Sequence, residues 1–243
     1  MHHRVPVTAD VSSRLGELAD RYALPDEATE RLALLLELVE AEHSAITTVR
    51  DPREGVDVHV ADSLVALELP EVREARRIAD LGSGGGFPGL VLAIALPRVR
   101  ATLVESVGRK VAFMSSAIER LGLGNAQAIQ ARAEEWPEGL AAHDLVTARA
   151  VAPLSVLVEY AAPLLDLGGS LVAWKGVRDS EEEADGQAAA AALGMTGLRF
   201  EDVRQFATAR NRNLYLCSKV SPTPLGYPRR AGMARKRPIR AST

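Results

Sequence analysis

One cysteine, Cys217, stands among 243 residues. An internal disulfide and any multi-cysteine metal site are therefore excluded, and the usage fits a reducing compartment. Aromatic side chains make up only 4%, so the core must come from Leu, Val, Ile and Ala within the 47% hydrophobic fraction. No apolar run approaches the ~18 residues of a membrane span, and the N-terminus has no apolar stretch of signal-peptide type. A soluble, cytoplasmic chain is the expectation. The histidines at positions 2 and 3 are too few for a tag. No His/Cys/Asp cluster has metal-ligand spacing, so no metal is expected.

Excess positive charge is also absent, since the net charge is −3. Its distribution is uneven. Residues 221–243 hold Arg229, Arg230, Arg235, Lys236, Arg237 and Arg240 with no acid. That leaves 23 basic against 32 acidic residues in the rest of the chain. A basic, Pro- and Gly-rich tail on an acidic body reads as a loosely ordered arm, either solvated or reaching phosphate backbones.

Periodicity divides what precedes that tail. Residues 1–76 read as a helical extension. Asp10 is placed to cap a helix over Val11–Tyr22, and Leu32, Leu35, Leu36 and Val39 give an amphipathic stripe. This stripe is expected to pack on the domain behind it, with the chain a monomer. A further helix is expected over Val56–Leu69, carrying His59, Asp62 and Ser63. From 77 to 220 strands and helices alternate. Strands are expected at Ile78–Leu81, Ala101–Glu105, Ala126–Gln130, Asp144–Thr147 and Ser170–Trp174, with Leu198–Phe206 and Leu214–Val220 forming an antiparallel edge. The implied fold is α/β, a mostly parallel seven-stranded sheet with helices on both faces.

Residues 78–89 carry the most information. The run Ile78-Ala79-Asp80-Leu81 ends in a turn with glycines at 82, 84, 85 and 86, followed by Pro88 and the apolar stretch Leu90–Leu96. Glycine has no Cβ, so a nucleotide-like ligand can lie directly on such a turn. Gly84–Gly89 satisfies G-x-G-x-x-G, a dinucleotide pattern. The same turn also reads D-x-G-x-G-x-G from Asp80. An acid there suits a ligand with an amino group and is poorly placed beside a pyrophosphate. This spacing resembles the S-adenosylmethionine (AdoMet) turn of class I (Rossmann-like) methyltransferases. Asp80, Gly82 and Gly84 are therefore candidate cofactor residues.

Ligands of such sheets sit at the carboxyl ends of the strands. Glu105 ends the second strand, where an acid can hold two ribose hydroxyls. Ala133-Glu134 follows the third, in reach of an adenine edge. Arg149 follows the fourth and can pair with a carboxylate or phosphate. Lys175 and Arg212 are candidates for substrate phosphate. No Asn/Asp-Pro-Pro-Tyr/Phe motif follows the fourth strand, and Cys217 lies inside the last one. Methylation of an exocyclic amine, or attack through a cysteine adduct, is thereby disfavoured. An acceptor that is already nucleophilic, such as a purine ring nitrogen, remains. It needs positioning and no general base, with Arg149 and Lys175 as candidate positioning groups.

Several segments together resemble the RsmG (GidB) family of bacterial small-subunit rRNA guanine-N7 methyltransferases, over residues 32–220. Ile46-Thr47-Thr48-Val49-Arg50-Asp51-Pro52 is similar to the family's N-L-T-x-x-R-D, and His59-Val60-Ala61-Asp62-Ser63-Leu64 to its H-I-x-D-S-L. Asp80–Gly89 matches D-x-G-[ST]-G-x-G-[LF]-P-G. Arg132-Ala133-Glu134-Glu135, Thr147-Ala148-Arg149-Ala150 and Trp174-Lys175-Gly176 match the later motifs. Ser44-Ala45 and Val58 depart from the pattern. The resemblance implies AdoMet as cofactor, held at Gly82, Phe87, Ala133, Glu134 and Arg149. It also implies a guanosine of the 530 loop of 16S rRNA as target. The expected RNA-facing residues are Arg50, His59, Lys175, Arg212, Arg229 and Arg230, with 16S rRNA or the small ribosomal subunit as partner.

Overall fold

The computed structural model describes residues 8–43, 45–201 and 212–242. Its centre is one sheet of seven strands. These are β1 (Arg77–Leu81), β2 (Arg100–Glu105), β3 (Ala126–Gln130), β4 (His143–Arg149), β5 (Leu165–Lys175), β6 (Arg199–Glu201) and β7 (Asn213–Ser218), in the spatial order β3-β2-β1-β4-β5-β7-β6. Strands β1 to β5 are parallel, and β7 runs antiparallel to both β5 and β6. The order reverses between β1 and β4, which opens a crevice at their carboxyl ends. The expected strand over Leu198–Phe206 is seen as β6; residues 202–206 lie outside the described residues.

Alternation along each strand feeds two apolar layers. Ile78 and Leu103 face one layer, Ala79 and Val104 the other. The first layer is closed by α1 (Ala9–Tyr22), α2 (Ala28–Ala41), α6 (Gly89–Ala95) and α7 (Gly108–Leu121). Leu32, Leu35, Leu36 and Val39 of α2 are buried there, so the amphipathic stripe packs on its own domain. Thr8 is the N-cap of α1, and Asp10, expected as the cap, sits inside the first turn. Its charge then favours the helix through the dipole and not through a side-chain cap.

A helical stretch that changes pitch also packs into the first layer. Asp51 caps α3 (Pro52–Gly55) by accepting from the Arg53 amide at 2.9 Å. A π-helical turn over Val56–Ala61, α4 (Asp62–Leu64) and a 3-10 turn over Val65–Glu68 follow, and α5 (Pro70–Arg73) leads into β1. The single helix expected over Val56–Leu69 is thus composite. The π turn carries His59, in keeping with the tendency of such turns to occur where side chains are re-aimed at a site.

The second layer is covered by α8 (Leu154–Ala161), α9 (Ser180–Ala192) and the C-terminal residues, including α10 (Met233–Lys236). Residues 221–242, expected to be loose, are packed instead. Arg229 forks onto the carboxylate of Glu159, which is 2% exposed, with Nε–Oε1 at 2.7 Å and a second contact from Nη2 to Oε2. A buried carboxylate requires such a partner, and a two-pronged guanidinium supplies it. Ala234 is buried, and Tyr227 and Ile239 pack on the same cluster. Among the described residues no helix is long and apolar enough to cross a membrane.

Candidate cofactor and substrate site

A cleft of about 330 Å³ opens at the carboxyl ends of β1 and β2. It is lined by Gly82, Glu105, Ala133 and Glu134 among the expected cofactor residues, and also by Val151, Tyr160, Gly232 and Arg235. Gly82 has φ +65°, and a Cβ there would stand 2.7 Å from the Val151 side chain. Only glycine fits both the backbone conformation and the space. Glu105 accepts from the Gly84 amide at 3.2 Å and from the Val107 amide at 2.9 Å. The Ser106 hydroxyl also donates to Glu105 Oε1 at 3.3 Å, so the buried carboxylate at the cleft wall keeps one open lone pair, on Oε2; two vicinal hydroxyls would take that position and displace the Ser106 hydroxyl. Ala133 and Glu134 lie on a single 3-10 turn after β3.

Asp80 behaves differently from its expected role. Its carboxylate is fully buried and accepts from Thr147 Oγ1 at 2.7 Å and from the Gly89 amide at 3.2 Å. Asp80 is not among the residues lining the cleft, and both its oxygens are engaged within the fold. They tie β1 to β4 and to the start of α6. Burial pushes its pKa up to about 6, against the pull of those hydrogen bonds. An acid just before a glycine turn gives the same sequence pattern whether it faces the ligand or the fold.

Beside the cleft lies a second group of side chains. Phe87, at the end of the glycine turn, stacks on His59 with ring centroids 4.3 Å apart and planes within 9°. The Arg149 guanidinium sits 5.6 Å from the Phe87 centroid. Arg149 Nη1 donates to Asp62 Oδ2 at 2.8 Å and to the Val58 carbonyl at 3.0 Å. Arg212 Nε lies 3.3 Å from the other Asp62 oxygen, and the Trp174 indole donates to the Asp62 carbonyl at 2.7 Å. His59 Nε2 is 2.9 Å from the Val49 carbonyl, which can only accept. The proton is therefore assigned to Nε2, leaving Nδ1 to accept from Arg149 Nη2 at 3.4 Å. Burial, then the neighbouring Arg149, lowers the His59 pKa to about 4 despite the Val49 bond. His59, expected to face RNA, is only 4% exposed and is a neutral spacer between Phe87 and Arg149. Its π turn and its stack on Phe87, neither visible from residue type, put it inside.

Of the basic residues expected at the substrate, Arg212 joins this group through Asp62. Lys175 Nζ contacts Glu182 at 2.5 Å and the Ala152 carbonyl at 3.2 Å. Arg50 Nη2 donates to the Glu40 carbonyl at 2.7 Å, and its Nε is buried without a hydrogen-bond partner. Arg229 is engaged by Glu159 on the far layer, whereas Arg230 is exposed. The Cys217 thiol is buried and pushed up to about 12, so it is no nucleophile at neutral pH. Asp62, Val151, Tyr160, Gly232 and Arg235 were not anticipated as site residues. Only Asp62 had a signal, its place three residues after His59 on one helical stretch.

A parallel sheet that reverses beside β1, a glycine turn after β1 and a buried acid ending β2 define a class I AdoMet-dependent methyltransferase. Solved structures agree on the fold. The apo S-adenosylmethionine-dependent methyltransferase SibL matches with TM-score 0.56 at 15% identity, over 87% of this chain and 74% of that one. An S-adenosylmethionine-dependent O-methyltransferase of Thermotoga maritima matches with TM-score 0.53 at 16% identity, over 78% and 72%. The sequence profile described as rRNA small subunit methyltransferase G (GidB) matches residues 27–214. Among similar proteins is the ribosomal RNA small subunit methyltransferase G of Desulfitobacterium hafniense, 40% identical over 200 residues, covering 80% of this chain and 81% of that protein. The protein of the same description from Rubrobacter xylanophilus is 40% identical over 221 residues, covering 87% and 85%. The chain belongs to the rRNA small subunit methyltransferase G family.

Proposed function

We propose that this enzyme transfers the methyl group of AdoMet to N7 of one guanosine in the 530 loop of 16S rRNA. The small-subunit rRNA methyltransferases it resembles at 40% identity support the substrate class. The observation that supports a ring nitrogen is the state of His59. The imidazole beside the cleft holds its proton toward Val49 and has its acceptor nitrogen facing Arg149. It is not poised to take a proton from an acceptor, and N7 has none to give up.

AdoMet supplies a methyl group on a positively charged sulfur, open to in-line displacement. An N7 lone pair would form the new N–C bond as the C–S electron pair returned to sulfur, with no proton to remove. The protein's contribution is geometric. Glu105 would hold the ribose diol, the Ala133-Glu134 turn would meet the adenine edge, and Gly82 and Gly84 would let the ligand approach the backbone. Phe87, His59 and Arg149 form the wall on the acceptor side. A guanidinium there can hydrogen-bond guanine O6 beside N7 in the plane of the base. Arg230 is exposed, and Lys175, Arg212 and Arg50 would meet the RNA backbone by exchanging their present partners for phosphate.

The test is transfer of tritium from labelled AdoMet to 16S rRNA and to small subunits isolated from cells lacking this enzyme, with the label mapped by base. Label at N7 of a single 530-loop guanosine is expected. AdoMet binding without transfer to either RNA would overturn the substrate.

A further inference from the structure

One wall of the cleft comes from a segment outside residues 27–214, the stretch that matches the family profile. Gly232 and Arg235 both line it. The Gly232 amide donates to Glu134 Oε1 at 3.0 Å, from a left-handed backbone with φ +79° that glycine adopts without penalty. Arg235 Nη2 donates to the Val151 carbonyl at 2.9 Å. Val151 in turn fills the space beside Gly82, and Ala150 before it has φ +56°. A non-glycine residue keeps that conformation only where its surroundings hold it. The segment is itself pinned at both sides of Arg235. Arg229 grips the buried Glu159, and the Ala241 amide donates to Asp185 Oδ1 at 2.9 Å.

We propose that residues 221–242 are a strap forming the outer wall of the cofactor pocket, with Arg235 the positioning residue that sets cofactor affinity. Arg235 holds the turn after β4, so that Val151 stays against the glycine turn. Gly232 holds Glu134 at the adenine side. The proposal rests on reading this cleft as the AdoMet site. The basic tail thus acts first on the cofactor and only secondarily, through its exposed outer arginines, on RNA.

The experiment is calorimetric binding of AdoMet and steady-state kinetics on the full chain, Arg235→Ala, Arg237→Ala and a chain ending at Ser221. Losing a charge-assisted hydrogen bond at a partly wet site predicts that Arg235→Ala raises the AdoMet Kd and KM on the order of tenfold. Its kcat at saturating AdoMet should stay within about twofold, because no reacting atom is touched. Arg237→Ala, two residues on and outside the cleft, should bind AdoMet as the parent does. AdoMet should also slow tryptic cleavage after Arg235. The truncated chain exposes apolar surface around Ala234 and can fail to fold. Arg235 is exposed, so the point variant decides. Unchanged Kd and KM in folded Arg235→Ala would overturn the strap's role. A full chain that binds no AdoMet would instead overturn the reading of the cleft.

Discussion

Arg149 and Asp62 are 87 residues apart in sequence and 2.8 Å apart in space, with the Asp62 side chain only 1% exposed. The contact joins the end of β4 to the helical stretch before β1. It also places a guanidinium against Phe87, beside the glycine turn. Removing Arg149 leaves the buried Asp62 carboxylate with Arg212 alone, a partly exposed partner 3.3 Å away, so the cost is up to about 3 kcal/mol. Arg149→Ala should therefore lower the urea midpoint substantially and reduce methyl transfer together. Arg149→Lys should not rescue transfer, because one ammonium cannot reproduce the fork toward Val58, Asp62 and His59. Full activity in Arg149→Lys would show that the planar fork is not needed.

Glu105 and Asp80 make a paired test of the cleft. Glu105 lines it, and Asp80 does not. Glu105→Ala should weaken AdoMet binding by roughly a hundredfold, the loss of two charge-assisted hydrogen bonds. Asp80→Asn should bind AdoMet within about threefold of the parent. Its amide can donate to Thr147 Oγ1 while its oxygen accepts from Gly89. Calorimetry on both variants separates the roles, and equal losses would return Asp80 to the ligand.

Acid stability follows from two buried groups of opposite sign. His59 titrates near 6.5 in the unfolded chain and at about 4 when folded. Its contribution is complete above pH 6.5 and is lost as pH falls toward 4. Asp80 has its pKa raised to about 6 from 3.8, so the folded state binds the extra proton. Its contribution grows as pH falls through 6 toward 4. Each spans about 3 kcal/mol at most, so the two largely offset between pH 4 and 6. Asp80→Asn removes one side of that balance. Its unfolding free energy should fall more steeply from pH 6 to 4 than the parent's. Parallel profiles would contradict the assignment.

On the far layer, Arg229→Ala strands the Glu159 carboxylate and should cost about 3 kcal/mol in urea unfolding. The double variant Arg229→Ala/Glu159→Leu should recover much of that, since the buried charge is gone as well. If the double variant is as unstable as the single, the ion pair is not what fixes the tail.

Much of the sheet was readable because each strand is a short apolar run ended by a turn or an acid. Ile78–Leu81, Ala101–Glu105 and Ala126–Gln130 recur within a residue as β1, β2 and β3. Strand β5 begins at Leu165, five residues before its expected start, through Asp166-Leu167-Gly168-Gly169. That stretch has turn-forming residues, yet Leu165 pairs with His143 of β4 across a register shift, and Gly168 and Gly169 exchange backbone hydrogen bonds with Lys219 just past β7. That Gly82, Glu105, Ala133 and Glu134 meet in one cleft was legible from the glycine turn and the strand ends. The orientation of Asp80 and His59 was not, because it is decided by partners such as Thr147 and Val49 that are distant in sequence or hidden by a π turn. The packed tail was least legible. Its charges suggested an arm, and the partner that holds it, Glu159, lies in an apolar helix with no local signal.

The most direct measurement is mass spectrometry of nuclease-digested 16S rRNA from cells lacking this enzyme, with and without the chain restored. The account predicts that the 530-loop fragment gains the mass of one methyl group on restoration, and that the modified base breaks under the reduction and aniline treatment specific to N7-methylguanosine. The same fragment without that methyl, or a methyl resistant to such cleavage, would contradict it.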